Sequence, residues 1–343
     1  MFTATFGAIE SGVIYAIMAL GVYLSFRILD FPDLTVDGSF VTGAAVSAVL
    51  IVNGVNPFLA TVVALIAGFI AGCMTGILHT KGKINPLLSG ILMMIALYSI
   101  NLRIMGRSNV PLIQQETSLS IIKDFWQSLG FDTGLNALFS SIGFGENLPK
   151  TWSILIIMLI VTLIIKFATD WFLRTEVGLA LRATGDNERM IRSFSANTDG
   201  LTILGLGISN ALVAFSGALI AQYNAFSDVG MGIGMIIIGL ASVIIGEALF
   251  GTKTIARTTL AVIGGAIIYR LVVSWALRVE FLETGDMKLI TATIVILALI
   301  VPKIMDGQRE KSRKKKRQAE RLAAIRVTEN KGGEGVVTSK SDL

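Results

Sequence analysis

Few residues in this chain are of a type that does chemistry. Asp30, Asp33 and Asp37 fall in or beside the stretch Phe31-Pro32-Asp33-Leu34-Thr35-Val36-Asp37-Gly38-Ser39-Phe40, between two long apolar runs. A carboxylate beside a membrane-length helix is costly unless it faces water or a partner. Pro32 and Gly38 interrupt regular helix, and the backbone groups they free are tolerated at membrane depth only where they line a cavity or are buried in protein. Two readings are open. Asp33, Thr35, Asp37 and Ser39 line a solute path, or the stretch is an ordinary loop in which Asp37 caps a helix.

Catalysis is hard to build here. There is one cysteine, Cys73, and one histidine, His79. No internal disulfide can form, and no Cys/His metal site has enough ligands. Cys73 lies in an apolar run next to Gly72 and reads as a small packing residue. The sequence holds no Walker A pattern, no HExxH and no Ser/His/Asp set. The expectation is a non-enzymatic chain with no catalytic residue, no metal and no bound cofactor, unable to hydrolyse ATP by the P-loop route. The glycine run Gly230, Gly232, Gly234 and Gly239 opens a membrane segment rather than following a strand, so it reads as flexible backbone and not as a phosphate loop.

A second stretch stands out between apolar segments. It runs from Arg174 through Gly178, Arg182, Ala183, Gly185, Asp186, Asn187, Met190 and Ile191, inside a loop of residues 171–201. That is longer than a turn between packed helices needs. Residues 186–195 are expected to form a short helix capped by Asp186 or Asn187, with Met190, Ile191 and Phe194 on one edge. Asn197-Thr198-Asp199 is a second capping signal ahead of the next membrane helix. The element is either a docking surface for another protein or an interfacial loop helix.

The elements that position these residues are membrane helices. The 343 residues are 53% hydrophobic and 15% charged, with mean hydropathy +0.72. A soluble domain is about a quarter charged, so lipid must solvate part of this surface. About nine segments approach the roughly 20 apolar residues a crossing requires: 7–26, 38–53, 57–78, 86–105, 152–170, 202–223, 232–250, 255–277 and 288–304. Gly68, Gly72 and Gly76 share one helix face and predict a close helix contact. No basic n-region precedes the first segment, which is therefore expected to stay in the protein. Residues 107–150, with Trp126 and Phe131, read as surface helices or as an ordered loop.

The distribution of Lys and Arg sets the orientation. The loop with Arg174, Arg182, Arg189 and Arg192, the turn with His79, Lys81 and Lys83, and the basic tail all fall inside, and the N-terminus outside. The net charge is +5, concentrated in residues 311–317. On a membrane protein such a run marks the cytoplasmic side and meets anionic lipid rather than nucleic acid. Residues 308–326 have an amphipathic pattern, and the residues beyond 326 are polar enough to be disordered. Among the isolated charges, Glu247 and Arg270 each read as a coupling or proton-relay group, or else Glu247 as a headgroup-level residue and Arg270 as a side chain snorkelling to the interface.

At Gly178, Ala180, Arg182 and Ala183, followed by Asn197-Thr198-Asp199 and Gln222-Tyr223, the chain resembles the ABC-importer permeases of the branched-chain amino acid (LivH/LivM-like) type. Tyr15-Ala16 to Leu20-Gly21 and the Phe31–Gly38 stretch match in position, and the likeness runs to about residue 305. The Asp33-Leu-Thr-Val-Asp37-Gly38 version is most similar to a subgroup associated with tryptophan and tyrosine. The resemblance implies an all-α polytopic bundle of about 8–10 transmembrane helices, a type II importer-like permease. Residues 1–305 would form the permease domain and 306–343 a basic cytoplasmic tail. It implies a separate ABC ATPase subunit that uses the ATP and grips a coupling helix at Gly178, Arg182, Ala183, Gly185, Asp186, Asn187, Met190 and Ile191. It also implies an extracellular substrate-binding protein, a second permease copy as a homodimer, lipid contact and no nucleic acid, in the plasma membrane of a bacterium. The solute would be an amino acid, aromatic by preference, with nucleosides and other small solutes open. An ion-coupled secondary transporter is the competing class, but the inverted repeat such transporters often carry is not evident.

Overall fold

The computed structural model describes residues 2–132, 149, 151–276 and the isolated positions 289, 292, 293, 296 and 300. Contacts divide the chain after Val295, and the unit described is Met1–Val295. The expected segment 288–304, apart from isolated positions, and the tail 306–343 lie outside the described residues, as does part of 107–150.

Helix α1 spans Phe2–Tyr23 and widens into a π-type turn over Leu24–Ile28. Then come α2 (Thr35–Val52), α3 (Pro57–Thr80), α4 (Pro86–Met105), β1 (Asn109–Pro111) and α5 (Ser118–Ser128). The chain continues with α6 (Ser153–Phe172), α7 (Glu176–Ser193), α8 (Thr198–Asn224), β2 (Phe226–Asp228), α9 (Met235–Phe250) and α10 (Ile255–Ala276). Seven of the described helices are long and apolar enough to cross a membrane, and α9 is a shorter apolar helix. The protein is an all-α polytopic membrane protein.

Local chemistry starts these helices where the sequence places it. Asn56 and Asn85 each precede a proline, and their side chains accept from Phe58 N and Leu87 N. An Asn cap followed by Pro satisfies one orphan N–H and removes another. Thr117 and Ser120 close a capping box on α5.

Helix α1 is the centre of the bundle, with 89% of its span buried, whereas α4 and α6 are mostly outward. The face of α3 that carries Gly68, Gly72 and Gly76 lies on α8, where a Cβ on Gly72 would strike the Leu206 carbonyl. The opposite face of α3 exposes Phe58, Val62, Ile66, Ile70 and Met74, a stripe that fits lipid.

The helix ends sort into two ends of the bundle. At one end Gly76 meets Ile203 near the start of α8, Phe31 stacks edge-on against His79, and the turn after α1 touches α7. At the other, β1 pairs antiparallel with β2 (Val110 opposite Ser227), and Gln222 ties α2, α3 and α5 together through Ser47, Thr61 and the Ser118 N–H. The N-terminus of α1 lies at the end opposite α7.

Candidate functional site

The first candidate site is the α7 region. Thr175 caps the helix by accepting from Gly178 N at 3.2 Å. Gly178, Leu181, Thr184 and Gly185 recur at helical spacing and form the buried face. At Gly178 a Cβ would meet the Phe172 carbonyl, and at Gly185 the Ile28 carbonyl. Leu181 sits in the core with Leu24, Leu29 and Leu206. The helix is thereby fitted directly onto the ends of α6 and α1.

At Asn187 the backbone turns extended, with φ −156° and ψ 87°, and a second, short helical turn begins. Asn187 Oδ1 accepts from Met190 N at 3.1 Å, so Asn187, rather than Asp186, is the cap. The helix foreseen over 186–195 exists, but it is the end of a longer one that already contains Gly178, Arg182 and Ala183. Asp186, Asn187 and Met190 are exposed, Arg182, Ala183 and Ile191 half-buried, and Phe194 is 75% exposed. Arg192 links Glu188 (3.2 Å) to Asp199 (2.8 Å), tethering the short turn to the start of α8. A polar groove of about 690 Å³ opens between Arg27, Asp30, Arg182 and Asp186.

Arg27 and Glu247 were not paired by sequence reasoning. Arg27 donates from Nε at 2.9 Å and from Nη2 at 2.6 Å to the two Glu247 carboxylate oxygens. This bidentate pair joins the end of α1 to the last turn of α9. Arg270 Nε donates to Ser11 Oγ at 3.2 Å and its guanidinium lies 4.6 Å from the Tyr15 ring centroid, so α1 supplies both of these partners.

The second candidate site is the Asp33–Ser39 stretch. Thr35, Asp37 and Ser39 stand two apart, and a helix at about 100° per residue cannot hold all three on one face. Asp33 is buried: its Oδ1 accepts from Thr35 N at 2.9 Å and its Oδ2 from Asn210 Nδ2 at 2.6 Å. Thr35 Oγ1 shares a 2.8 Å hydrogen bond with Thr75 Oγ1. Ser39 is buried, and its Oγ has no partner among the described residues.

Asp37 faces the other way. The N–H groups of Gly234 and Ile236 donate to its two oxygens at 2.9 and 2.8 Å. It is a cap, but of α9 and not of its own helix. The Gly230–Gly234 run makes this possible: Gly232 packs on the Asp37 carbonyl, and Gly234 has φ +87°, a conformation glycine adopts without penalty. With 16 residues α9 spans about 24 Å, less than a hydrocarbon core of about 30 Å. Beside Asp37 lies a cavity of about 430 Å³, bordered by Gly38, Met94, Tyr98, Asn101 and Ile233. Sequence reasoning missed Tyr98 and Asn101 on α4, and Asn210 on α8. The available signal was a carboxamide inside an apolar helix, which calls for a partner or a ligand. Among the described residues no group of His, Cys, Asp and Glu could hold a metal.

Comparison with known proteins gives a consistent answer. Residues 4–301 match the family described as the permease component of the branched-chain amino acid transport system. The chain is 44% identical to a tyrosine transport system permease protein of Clostridioides difficile strain R20291, over 84% of this chain and 87% of that one. It is 23% identical to the ribose import permease protein of Escherichia coli K12, over 86% and 84% of the two chains. Among solved structures, an inward-facing metal-chelate type ABC transporter aligns with TM-score 0.45 and 17% identity, over 88% of this chain and 85% of that one.

Proposed function

Since the chain belongs to the family of ABC-transporter permease components of branched-chain amino acid type, we propose that it forms the membrane path of an ATP-driven importer for an amino acid, aromatic by preference. The observation that carries this reading is the seating of α7: Gly185 rests on the Ile28 carbonyl at the end of the central helix, while Met190 and Phe194 point outward. A helix built this way passes a push from outside straight into the bundle. The pushing subunit is a separate ATPase, the α7 end is cytoplasmic, and an extracellular binding protein delivers the solute to the opposite end. The positive-inside rule supports this orientation, since Arg174, Arg182, Arg189, Arg192 and Lys253 gather at the α7 end. By the same rule the basic run in residues 311–317 argues for the cytoplasm of a bacterial cell.

In this reading Gly178, Ala183 and Gly185 seat the coupling helix. Arg182, Asp186, Asn187, Met190 and Ile191 meet the ATPase. Helix α9 carries the movement onward. Its last turn is clamped to Arg27 beside the α7 groove and its first turn to Asp37 beside the cavity. It is also locked to α10, with Gly246 against the Ala261 carbonyl and Gly265 against that of Ser242. Differential contact of α7 with two ATPase states then switches the cavity between the two sides of the membrane. Asp37 borders the path, and Asp33 and Thr35 hold α2 in place behind it through Asn210 and Thr75, with Ser39 buried. A second copy faces the Asp37 cavity, because a carboxylate there cannot face lipid. The apolar stripe on α3 and the outward face of α6, with Ile160, Ile164 and Phe167 exposed, meet lipid.

The tyrosine permease supports an amino acid solute, and the ribose permease keeps sugars as the alternative. The test is uptake in proteoliposomes. Tyrosine accumulation should need ATP, the ATPase and the binding protein together. Accumulation driven by this chain alone sinks the reading.

A further inference from the structure

We propose that the cavity at Asp37 is a station for a solute that carries an ammonium group on an aromatic or bulky apolar body, selected by Asp37, Asn101 and Tyr98. The proposal rests on the reading of this face as the solute path and goes further by assigning its chemistry.

The polar groups that border the cavity are unequal. Asn101 is 1% exposed, and its Nδ2 donates to the Gly38 carbonyl at 3.1 Å. Its Oδ1 has no partner among the described residues. A buried amide oxygen left in that state costs about 1–3 kcal/mol, so Asn101 gains from any further donor brought to the cavity. Asp37 brings a carboxylate whose two oxygens accept from the Gly234 and Ile236 N–H groups. The α9 N-terminus it caps carries only about half an elementary positive charge. Among the described residues none that borders the cavity is cationic. A solute carboxylate therefore finds no counter-charge there, whereas an ammonium group meets one carboxylate and one vacant carbonyl oxygen.

The rest of the wall is apolar, with Val41, Met94, Ile95 and Ile233 around the Tyr98 ring. A thioether and a phenol face suit an aromatic ring by sulfur contact and offset stacking. A sugar would lose its hydration against this wall and recover few hydrogen bonds. The volume of about 430 Å³ falls within the range for small-molecule sites, roughly 300–1,000 Å³.

The test uses the full chain assembled with its ATPase in membrane vesicles, with Cys73→Ala to remove the only native thiol and Ser99→Cys to report on the cavity wall. A charged, water-borne thiol reagent is applied with tyramine, with 3-(4-hydroxyphenyl)propanoate, or with D-ribose. Tyramine at saturation should slow labelling about tenfold, while the propanoate and ribose leave it unchanged. Asn101→Leu, added to the same background, should weaken the tyramine protection. Labelling that tyramine does not slow, or that the propanoate slows equally, overturns this assignment and leaves the path reading standing. A Ser99→Cys thiol that the charged reagent never reaches overturns the path reading as well.

Discussion

Asp33 and Asp37 are four residues apart and do different work. Asp33 is enclosed by protein and depends on Asn210, so Asn210→Leu should destabilise the fold by about 2–3 kcal/mol, the worth of a hydrogen bond to a buried charge. Thermal unfolding in detergent measures it, and the double variant Asp33→Leu/Asn210→Leu should be less affected than the single one. Asp37→Asn keeps an acceptor for the α9 cap but removes the charge. Stability should fall by about 1 kcal/mol or less, while uptake drops at least about tenfold. Unchanged uptake would reduce Asp37 to a cap. Such pairs explain the limits of reading residues alone. The carboxylates were visible as costly. Which one faces the cavity depends on Asp33 lying ahead of the first turn of α2, and on Asn210 arriving from 177 positions away.

Helix α9 is an element whose ends matter more than its middle. It is held by Asp37 at one end and Arg27 at the other. Arg27 is 59% exposed, so its ion pair adds little to stability. Glu247→Gln should leave the melting temperature within a few degrees and yet uncouple transport, with ATP hydrolysed at a near-normal rate and solute uptake reduced several-fold. Equal loss of both activities would show that the pair only maintains assembly. Helix α3 teaches a complementary point. Its glycine spacing foretold a close contact, and α8 is the helix that answers it. Gly72→Leu should cost about 3 kcal/mol or more, because the obstruction is the Leu206 carbonyl and backbone cannot move aside as a side chain can. The seventh expected segment, 232–250, showed a glycine-rich start in the sequence, and the structure turns that start into a glycine turn ahead of the helix that begins at Met235.

At the scale of the whole molecule, the proposed mechanism requires force to enter at one end and be felt in the cavity. Its proposed entry point is the exposed edge of Met190 and Phe194, which the fold leaves uncovered. Replacing both with Asp should abolish ATPase retention during purification while the permease still folds with an unchanged melting temperature. ATPase retained in full by that variant would move the docking surface elsewhere, with the groove between Arg27 and Arg182 the next place to look.

The sequence alone determined that the chain crosses a membrane many times, where seven full-length helices run, which end gathers the positive charge, and that the chain holds no P-loop. Lipid enforces the helical features locally, since each crossing must be apolar and must satisfy its own backbone hydrogen bonds. Tertiary structure decided the rest: which helix is central, which carboxylate meets the cavity, that Asp37 caps a helix about 200 residues on, and that Arg27 holds Glu247. In a bilayer a side chain facing lipid and one facing protein are equally apolar, so hydrophobic pattern carries little record of what packs against what.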